Sequence, residues 1–174
     1  MHRLVLMRHA KSDWGDPGLG DHDRPLNDRG RRAAPRMGAW LAAQGAFPDA
    51  ALLSSARRVQ ETWAGVLDGA GRTASPPPAR TERGLYLAEP EEILAALRGA
   101  PPEARTVLML GHEPGTPGML ARMQAGAPPA ALAWAFDRYP TASVSILEVD
   151  APNWAETNFG VARIIAHATP KSLA

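Results

Sequence analysis

The chain has 174 residues, of which 45% are hydrophobic and 21% charged, and its formal net charge is only +1. This balance is typical of a globular domain and lacks the basic field that attracts nucleic acid or anionic membranes, so we predict neither partner. The absence of cysteine excludes disulfides, thiolate metal sites and a cysteine nucleophile. The N-terminal apolar run is too short for a signal-peptide core, and no segment approaches the ~20 apolar residues of a membrane helix. We therefore expect a single cytoplasmic domain spanning residues 1–174.

Short apolar runs alternate with amphipathic segments along the chain. Five runs are predicted to be buried strands: Leu4–Met7, Ala51–Leu53, Thr106–Leu110, Ser143–Leu147 and Val161–Ile165. Four segments are predicted to be helices: Arg29–Gln44, Arg57–Leu67, Pro90–Arg98 and Pro117–Met123. This alternation predicts a three-layer α/β/α sandwich with a mostly parallel central sheet. Because residues 150–160 are too few for a crossover helix, the last two strands should pair antiparallel at one edge.

Polar residues follow three of these strands at the point where each strand ends. Arg8 and His9 come directly after the first strand, and Gly111 and His112 come directly after the strand over Thr106–Leu110. Ligands of open α/β sheets bind beyond the carboxyl ends of the strands, and parallel pairing brings those ends to one edge. The sequence therefore predicts a pocket that contains two histidines and at least two arginines.

The remaining arginine of this pocket comes from the helix that follows the second strand. That helix begins with Arg57 and Arg58, whose charges oppose the helix dipole in the first turn. A bound anion would offset the repulsion between the arginine charges and the helix dipole, since the backbone N–H groups at a helix start also attract it. On this reasoning either arginine can contact the anion.

Each feature taken alone also has a purely structural explanation. Two arginines at a helix start can face solvent or pair with Glu61, and a histidine in a glycine-flanked turn can serve only the loop. Asp21, His22 and Asp23 offer metal-binding atoms, but they lack the helical i, i+4 histidine spacing of a zinc protease site. We therefore predict no metal and no cofactor. The coincidence of polar residues at three strand ends favours a functional site.

The same residues resemble the signatures of a known family. Residues 7–10, Met-Arg-His-Ala, resemble the Arg-His-Gly signature of the histidine phosphatase (phosphoglycerate-mutase-like) superfamily, with alanine in place of the usual glycine. The spaced Ser54, Arg58 and Thr62, together with residues 111–114, Gly-His-Glu-Pro, resemble its two other core blocks. Three blocks in the same order make the resemblance specific at the level of the superfamily. It implies a phosphoglycerate-mutase-like fold.

A narrower resemblance concerns the segments around the first block. Arg8–Asp13 and Asp21–Leu26, followed by Arg29 and Gly30, resemble the small SixA-type phosphohistidine phosphatases. The short chain, with no large insertion between the blocks, fits that branch as well. The resemblance extends to about residue 165 and implies a single histidine phosphatase domain.

The resemblance implies phosphoryl transfer through a covalent phosphohistidine. His9 would attack phosphorus, while Arg8, Arg58 and His112 would bind the phosphate oxygens. Spacing within the family block favours Arg58 over Arg57 as the phosphate ligand. Guanidinium groups would replace the magnesium ions of other phosphoryl-transfer enzymes, so the implied reaction is independent of metal.

Further contacts are predicted around this core. Lys11, Ser12 and Arg24 are candidate phosphate or substrate ligands, and Trp14 is the aromatic residue best placed to touch a substrate. Glu82 is the candidate general acid, because it lies roughly where larger relatives keep their acidic proton donor. It can equally be a surface glutamate paired with a neighbouring arginine.

The most specific function predicted is dephosphorylation of phosphohistidine in a protein partner. An imidazole leaves more readily than an alkoxide, so a weak or missing general acid is tolerable for that substrate. The alternative is a phosphatase or mutase acting on a small phosphate ester at the same site. A phosphate-binding module without catalysis is a third possibility, although a pure binder has no need of a nucleophile.

Overall fold

The computed structural model describes all 174 residues and contains one six-stranded sheet with the order β3-β2-β4-β1-β5-β6. The strands are β1 (His2–Arg8), β2 (Ala50–Ser54), β3 (Ala79–Glu82), β4 (Thr106–Gly111), β5 (Val144–Val149) and β6 (Ala162–Ala168). The α-helices are α1 (Asp28–Ala43), α2 (Arg57–Gly69), α3 (Pro90–Arg98) and α4 (Gly115–Met123). None of these helices has the length and apolar character needed to cross a membrane.

Alternating side chains of β1 separate two hydrophobic clusters. Leu4 and Leu6 pack with residues of α3 and α4, whereas Val5 and Met7 pack with residues of α1 and α2. Because successive side chains of a strand point to opposite faces, a strand covered on both sides is apolar at every position. The predicted three-layer α/β/α sandwich is confirmed.

Strand pairing brings the three strand ends that polar residues follow to one edge of the sheet. The four strands β3, β2, β4 and β1 pair in parallel, while β5 and β6 are antiparallel, as predicted for the edge. In the β1–β4 register, Arg8 lies opposite Gly111. Consequently His9 and His112 leave neighbouring strands at the same level.

The sequence prediction missed strand β3, which pairs with β2 at the outer edge of the sheet. Three of its four residues are exposed, so it has no buried apolar pattern. Helix α4 starts at Gly115, two residues before the predicted Pro117. Proline is tolerated in the first turn of a helix because its missing N–H has no partner there.

Candidate active site

A cavity of about 200 Å³ lies beyond the carboxyl ends of β1 and β4. Its lining consists of Arg8, His9, Lys11, Ser12, Trp14, Arg24, Arg58, Leu87, His112, Glu113 and Thr141. We call it the site cavity. It brings together every phosphate or substrate ligand predicted from the sequence, whereas Glu82 is not part of its lining.

His9 is buried and its ring is held by one short hydrogen bond. The Nδ1 atom lies 2.7 Å from the carbonyl oxygen of Ala10. Since a carbonyl only accepts hydrogen bonds, Nδ1 carries the proton and Nε2 has a free lone pair. That lone pair accepts from Nε of Arg58 at 3.3 Å. The Nε2 atom therefore has the properties of a nucleophile in contact with a guanidinium group.

The surroundings of His9 keep its imidazole neutral. Burial lowers the pKa of His9 to about 4, and the positive charges of Arg58, Arg8 and Arg24 act in the same direction. The hydrogen bond to Ala10 opposes this effect without cancelling it. A neutral ring at neutral pH is the form that can attack an electrophile.

Arg58 connects the two histidines to the segment that contains Asp21. Its Nη2 lies 3.3 Å from Nδ1 of His112 and donates to the Asp21 carboxylate at 3.0 Å, while Nη1 donates to the Asp21 carbonyl at 2.6 Å. The neighbouring Arg57 points outward and pairs with Glu61 at 2.8 Å. Of the two arginines at the start of α2, only Arg58 lines the site cavity.

The hydrogen bonds of Thr62 account for the spacing of four residues between Arg58 and Thr62. Its hydroxyl donates to the carbonyl of Arg58 at 2.6 Å, one helical turn earlier, and accepts from the backbone N–H of Ala10 at 3.0 Å. The side chain thus joins the first turn of α2 to the loop that follows β1. This connection places Arg58 beside His9.

His112 is the second buried, neutral histidine. Because the Arg58 guanidinium can only donate, Nδ1 of His112 is unprotonated and its Nε2–H donates to the Ser54 hydroxyl at 2.7 Å. The pKa of His112 is lowered to about 3, mainly by burial; the positive charge that His9 carries once it is protonated and the charge of Arg58 contribute in the same direction. In this state His112 presents a lone pair, not an N–H, toward Arg58.

Arg8 is held from two sides at the mouth of the cavity. Its Nη1 donates to the Tyr139 carbonyl at 2.8 Å and forms an ion pair with the Glu113 carboxylate at 2.9 Å. Its Nε is buried and has no hydrogen-bond partner in the protein. Because an unpaired buried donor costs free energy, a hydrogen bond from this N–H to an anionic ligand would be favourable.

Asp21 orients the arginines of the site. Its carboxylate accepts from Arg58, from Arg24 at 3.1 Å and from the Tyr86 hydroxyl. Burial acts to raise the pKa of Asp21, but the hydrogen bonds from Tyr86 and Arg58 outweigh it and hold the pKa well below its usual range. No group of three or more histidine, aspartate or glutamate side chains is arranged to hold a metal ion. The hydrogen bonds that the Asp21 carboxylate accepts hold Arg58 and Arg24 in place.

The remaining predicted ligands lie along one wall of the cavity. Arg24 is buried, donates to the Ser12 hydroxyl at 2.8 Å, and lies 3.4 Å above the centre of the Trp14 ring. Lys11 is exposed at the cavity edge and makes no hydrogen bond or ion pair through its ammonium group. Arg24 is consequently fixed by its neighbours, whereas Lys11 is free to meet a substrate.

The positions of two carboxylates, Glu82 and Glu113, differ from what the sequence suggested. Glu82 lies at the end of β3, where it pairs with Arg80 at 2.6 Å, and it is absent from the cavity lining. Glu113, to which sequence reasoning gave no role, lines the cavity beside Arg8. The sequence feature that could have indicated Glu113 is its position directly after His112 in the third core block.

Acid should destabilise the protein through its buried histidines. The folded-state pKa values of His9 and His112, about 4 and about 3, lie below the usual 6.5, so the unfolded chain binds more protons between these limits. The free energy of unfolding is therefore expected to fall as pH falls from about 6.5 to about 4. For His9 the loss is up to about 3 kcal/mol, at roughly 1.4 kcal/mol per pKa unit. Urea unfolding across this range should show a shallower pH slope in His9→Asn; parallel curves for the two proteins would contradict this explanation.

Comparison with known proteins agrees with this geometry. The family model of the histidine phosphatase superfamily (branch 1) matches residues 4–89. Protein Rv1276c of Mycobacterium tuberculosis is 34% identical over 167 residues, covering 95% of this chain and all of the relative. A structure described as a SixA phosphohistidine phosphatase from Nakamurella multipartitia is 29% identical, with a TM-score of 0.76 over 97% of this chain and 96% of that one. The mycobacterial glucosyl-3-phosphoglycerate phosphatase Rv2419c shares the fold at 17% identity, with a TM-score of 0.66 over 95% of this chain and 98% of that one.

The chain belongs to the histidine phosphatase superfamily, and its class is that of a phosphatase. The matched residues 4–89 and the likeness over 97% of the chain to the structure from Nakamurella multipartitia both support this assignment. Within the superfamily it falls in the SixA-type branch.

Proposed function

We propose that this protein is a metal-independent phosphatase that removes the phosphoryl group from phosphohistidine in a partner protein. The observation that carries the proposal is the neutral His9 ring, with its proton held at Nδ1 by Ala10 and its free Nε2 lying 3.3 Å from Arg58. A positioned, unprotonated nitrogen beside a fixed guanidinium group is what nucleophilic attack on a phosphoryl group requires.

The first step transfers the phosphoryl group to His9. Nε2 attacks phosphorus while the P–N bond to the substrate breaks. The substrate ring, protonated at its other nitrogen, takes the bonding electron pair and leaves as neutral imidazole. The hydrogen bond from Nδ1–H to Ala10 stabilises the positive charge that develops on the ring. Arg58 and the unpaired Nε of Arg8 offset the charge on the phosphoryl oxygens.

His112 takes its role only after the phosphate has bound. A nearby dianion favours the protonated form of a histidine. Protonation at Nδ1 converts His112 from an acceptor of an Arg58 N–H into a donor to a phosphate oxygen, while Nε2–H keeps its bond to Ser54. Water then attacks phosphorus, the P–N electron pair returns to His9, and inorganic phosphate is released with the proton from water.

Two observations favour phosphohistidine over an ester as the substrate. Two of the solved structures that resemble this chain, at 29% and 26% identity, carry the name SixA phosphohistidine phosphatase. The one carboxylate that lines the site cavity, Glu113, is paired with Arg8 at 2.9 Å, so no unpaired carboxyl group of the cavity lining faces a leaving alkoxide. The shared fold of Rv2419c makes a small phosphate ester the second candidate.

Substitution of Glu113 tests which leaving group the site serves. Glu113→Gln is expected to change cleavage of a phosphohistidine peptide by less than about tenfold, since imidazole leaves with little help. If Glu113 also donates a proton to esters, hydrolysis of glycerol 2-phosphate falls by about 10²-fold or more in the same variant. Glu82→Gln is the matched control, expected to leave both rates unchanged because Glu82 lies outside the cavity. A large loss for both substrates in Glu82→Gln would contradict the assignment of these carboxylates.

The proposed function is tested by the substrate preference of the purified protein. We expect kcat/KM to be highest for a phosphohistidine peptide, lower for p-nitrophenyl phosphate and lowest for phosphoglycerates, each measured with and without EDTA. EDTA should change none of the rates. A preference for phosphoglycerates would replace the proposal by the small-ester alternative, and loss of activity on chelation would contradict the metal-independent mechanism.

A further inference from the structure

A second and larger cavity, of about 760 Å³, adjoins the site cavity. The two share Lys11 and Thr141 in their linings, so a ligand bound at His9 can extend from one into the other. Its floor comes from the start of α1, and its walls come from residues 134–141 and 169–172. We call this second cavity the basic cleft.

The basic cleft concentrates positive charge that the protein does not neutralise. Its lining contains four cations, Lys11, Arg29, Arg138 and Lys171, but only one carboxylate, Asp137. None of the four cations forms an ion pair, whereas seven other arginines of the chain do. In a chain with a net charge of only +1, the cleft is therefore a local basic patch that faces solvent.

Exposed apolar side chains surround the two cavities. Only five large hydrophobic side chains of the protein are exposed, and three of them, Trp14, Leu87 and Trp134, line one cavity or the other. Leu87 has a φ of 55°, in the left-handed region that costs free energy for a side chain of this kind. Exposed aromatic residues next to basic side chains are typical of protein interfaces.

We propose that the basic cleft and its apolar rim form the docking surface for the protein that carries the phosphohistidine, and that the partner contributes an acidic segment to the cleft. The inference rests on the proposed function and extends it from the reacting group to the partner. Unpaired cations in the cleft complement carboxylates, and Trp14, Leu87 and Trp134 cover apolar surface around the phosphohistidine. The small site cavity then accepts only the phosphoimidazole.

A matched pair of peptides tests the charge preference. Both contain one phosphohistidine, flanked in one peptide by aspartate and glutamate and in the other by asparagine and glutamine. We expect the acidic peptide to have the higher kcat/KM at low salt and to lose this advantage at high salt. The triple variant Arg29→Ala/Arg138→Ala/Lys171→Ala should lower kcat/KM for the acidic peptide about tenfold, because three exposed ion pairs with the peptide are lost. Rates for the neutral peptide and for p-nitrophenyl phosphate should stay unchanged.

The control is a triple variant that removes the same charge elsewhere, Arg72→Ala/Arg105→Ala/Arg163→Ala. These arginines are exposed, form no ion pair and line neither cavity. An equal loss in this control, or equal rates for the two peptides with wild-type protein, would overturn the docking inference.

A binding measurement separates failure of the docking inference from failure of the proposed function. Fluorescence polarisation of the labelled, unphosphorylated acidic peptide reports docking without turnover. If neither phosphopeptide is hydrolysed, the phosphohistidine proposal fails. The docking inference still stands if the cleft variant alone loses binding of the acidic peptide, and it falls if the wild type binds acidic and neutral peptides equally.

Discussion

Replacing His9 with asparagine is expected to lower kcat by at least about 10⁴-fold, the scale seen when an enzyme loses its nucleophile. Asparagine retains an N–H donor that can reach the Ala10 carbonyl, yet it has no ring nitrogen to attack phosphorus. Rapid quenching of the wild type with a ³²P-labelled substrate should trap an acid-labile phosphoenzyme, and His9→Asn should form none.

The same experiment separates catalysis from folding. His9 lies in a polar cavity at the end of β1 and not in either hydrophobic cluster, so the variant should unfold cooperatively at neutral pH. Circular dichroism and urea unfolding provide that check. Labelling of His9→Asn at the wild-type level would contradict a covalent intermediate on His9 and would make His112 the next candidate nucleophile.

Arg58→Ala is expected to reduce kcat by about 10²–10³-fold, the usual loss when one fixed donor to the transition state is removed. Its guanidinium contacts His9, His112 and Asp21, so its removal also takes one of three hydrogen-bonding side chains from the Asp21 carboxylate. Arg58→Lys should recover only part of the rate, since an ammonium group keeps the charge but cannot make these contacts in one plane. Steady-state kinetics and the affinity for inorganic phosphate measure both effects.

The neighbouring residue offers a matched control. Arg57→Ala removes an equal charge from the same helical turn, but its side chain pairs with Glu61 at the surface. Such a pair contributes about 0–1 kcal/mol to stability, and we expect kcat to change less than about twofold. If Arg57→Ala is the slower enzyme, the assignment of phosphate contact to Arg58 is wrong.

Most of the sheet could be predicted from the sequence because buried strands are apolar on both faces. Leu4 and Met7 bound a run that has no polar position, and that pattern has one stable solution, a strand covered by helices on each side. Convergence of Arg8, His9 and His112 followed from the same pattern, since neighbouring parallel strands end at one edge. Strand β3 was not predicted because an exposed edge strand needs no alternation of apolar and polar residues.

The sequence by itself determined which residue types meet at the strand ends, whereas only the tertiary structure decided which way individual side chains point. Successive residues of a helix differ by about 100° in direction, so Arg57 and Arg58 point different ways. The family resemblance favoured Arg58, and the packing of α2 on the sheet is what turns it inward and Arg57 outward. The choice between Glu82 and Glu113 likewise depended on contacts with Arg80 and Arg8. The basic cleft is built from segments separated by more than a hundred residues, and no local pattern encodes such proximity. Side-chain direction and the packing of distant loops depend on contacts in the three-dimensional fold, and hydrophobic periodicity along the chain does not predict those contacts.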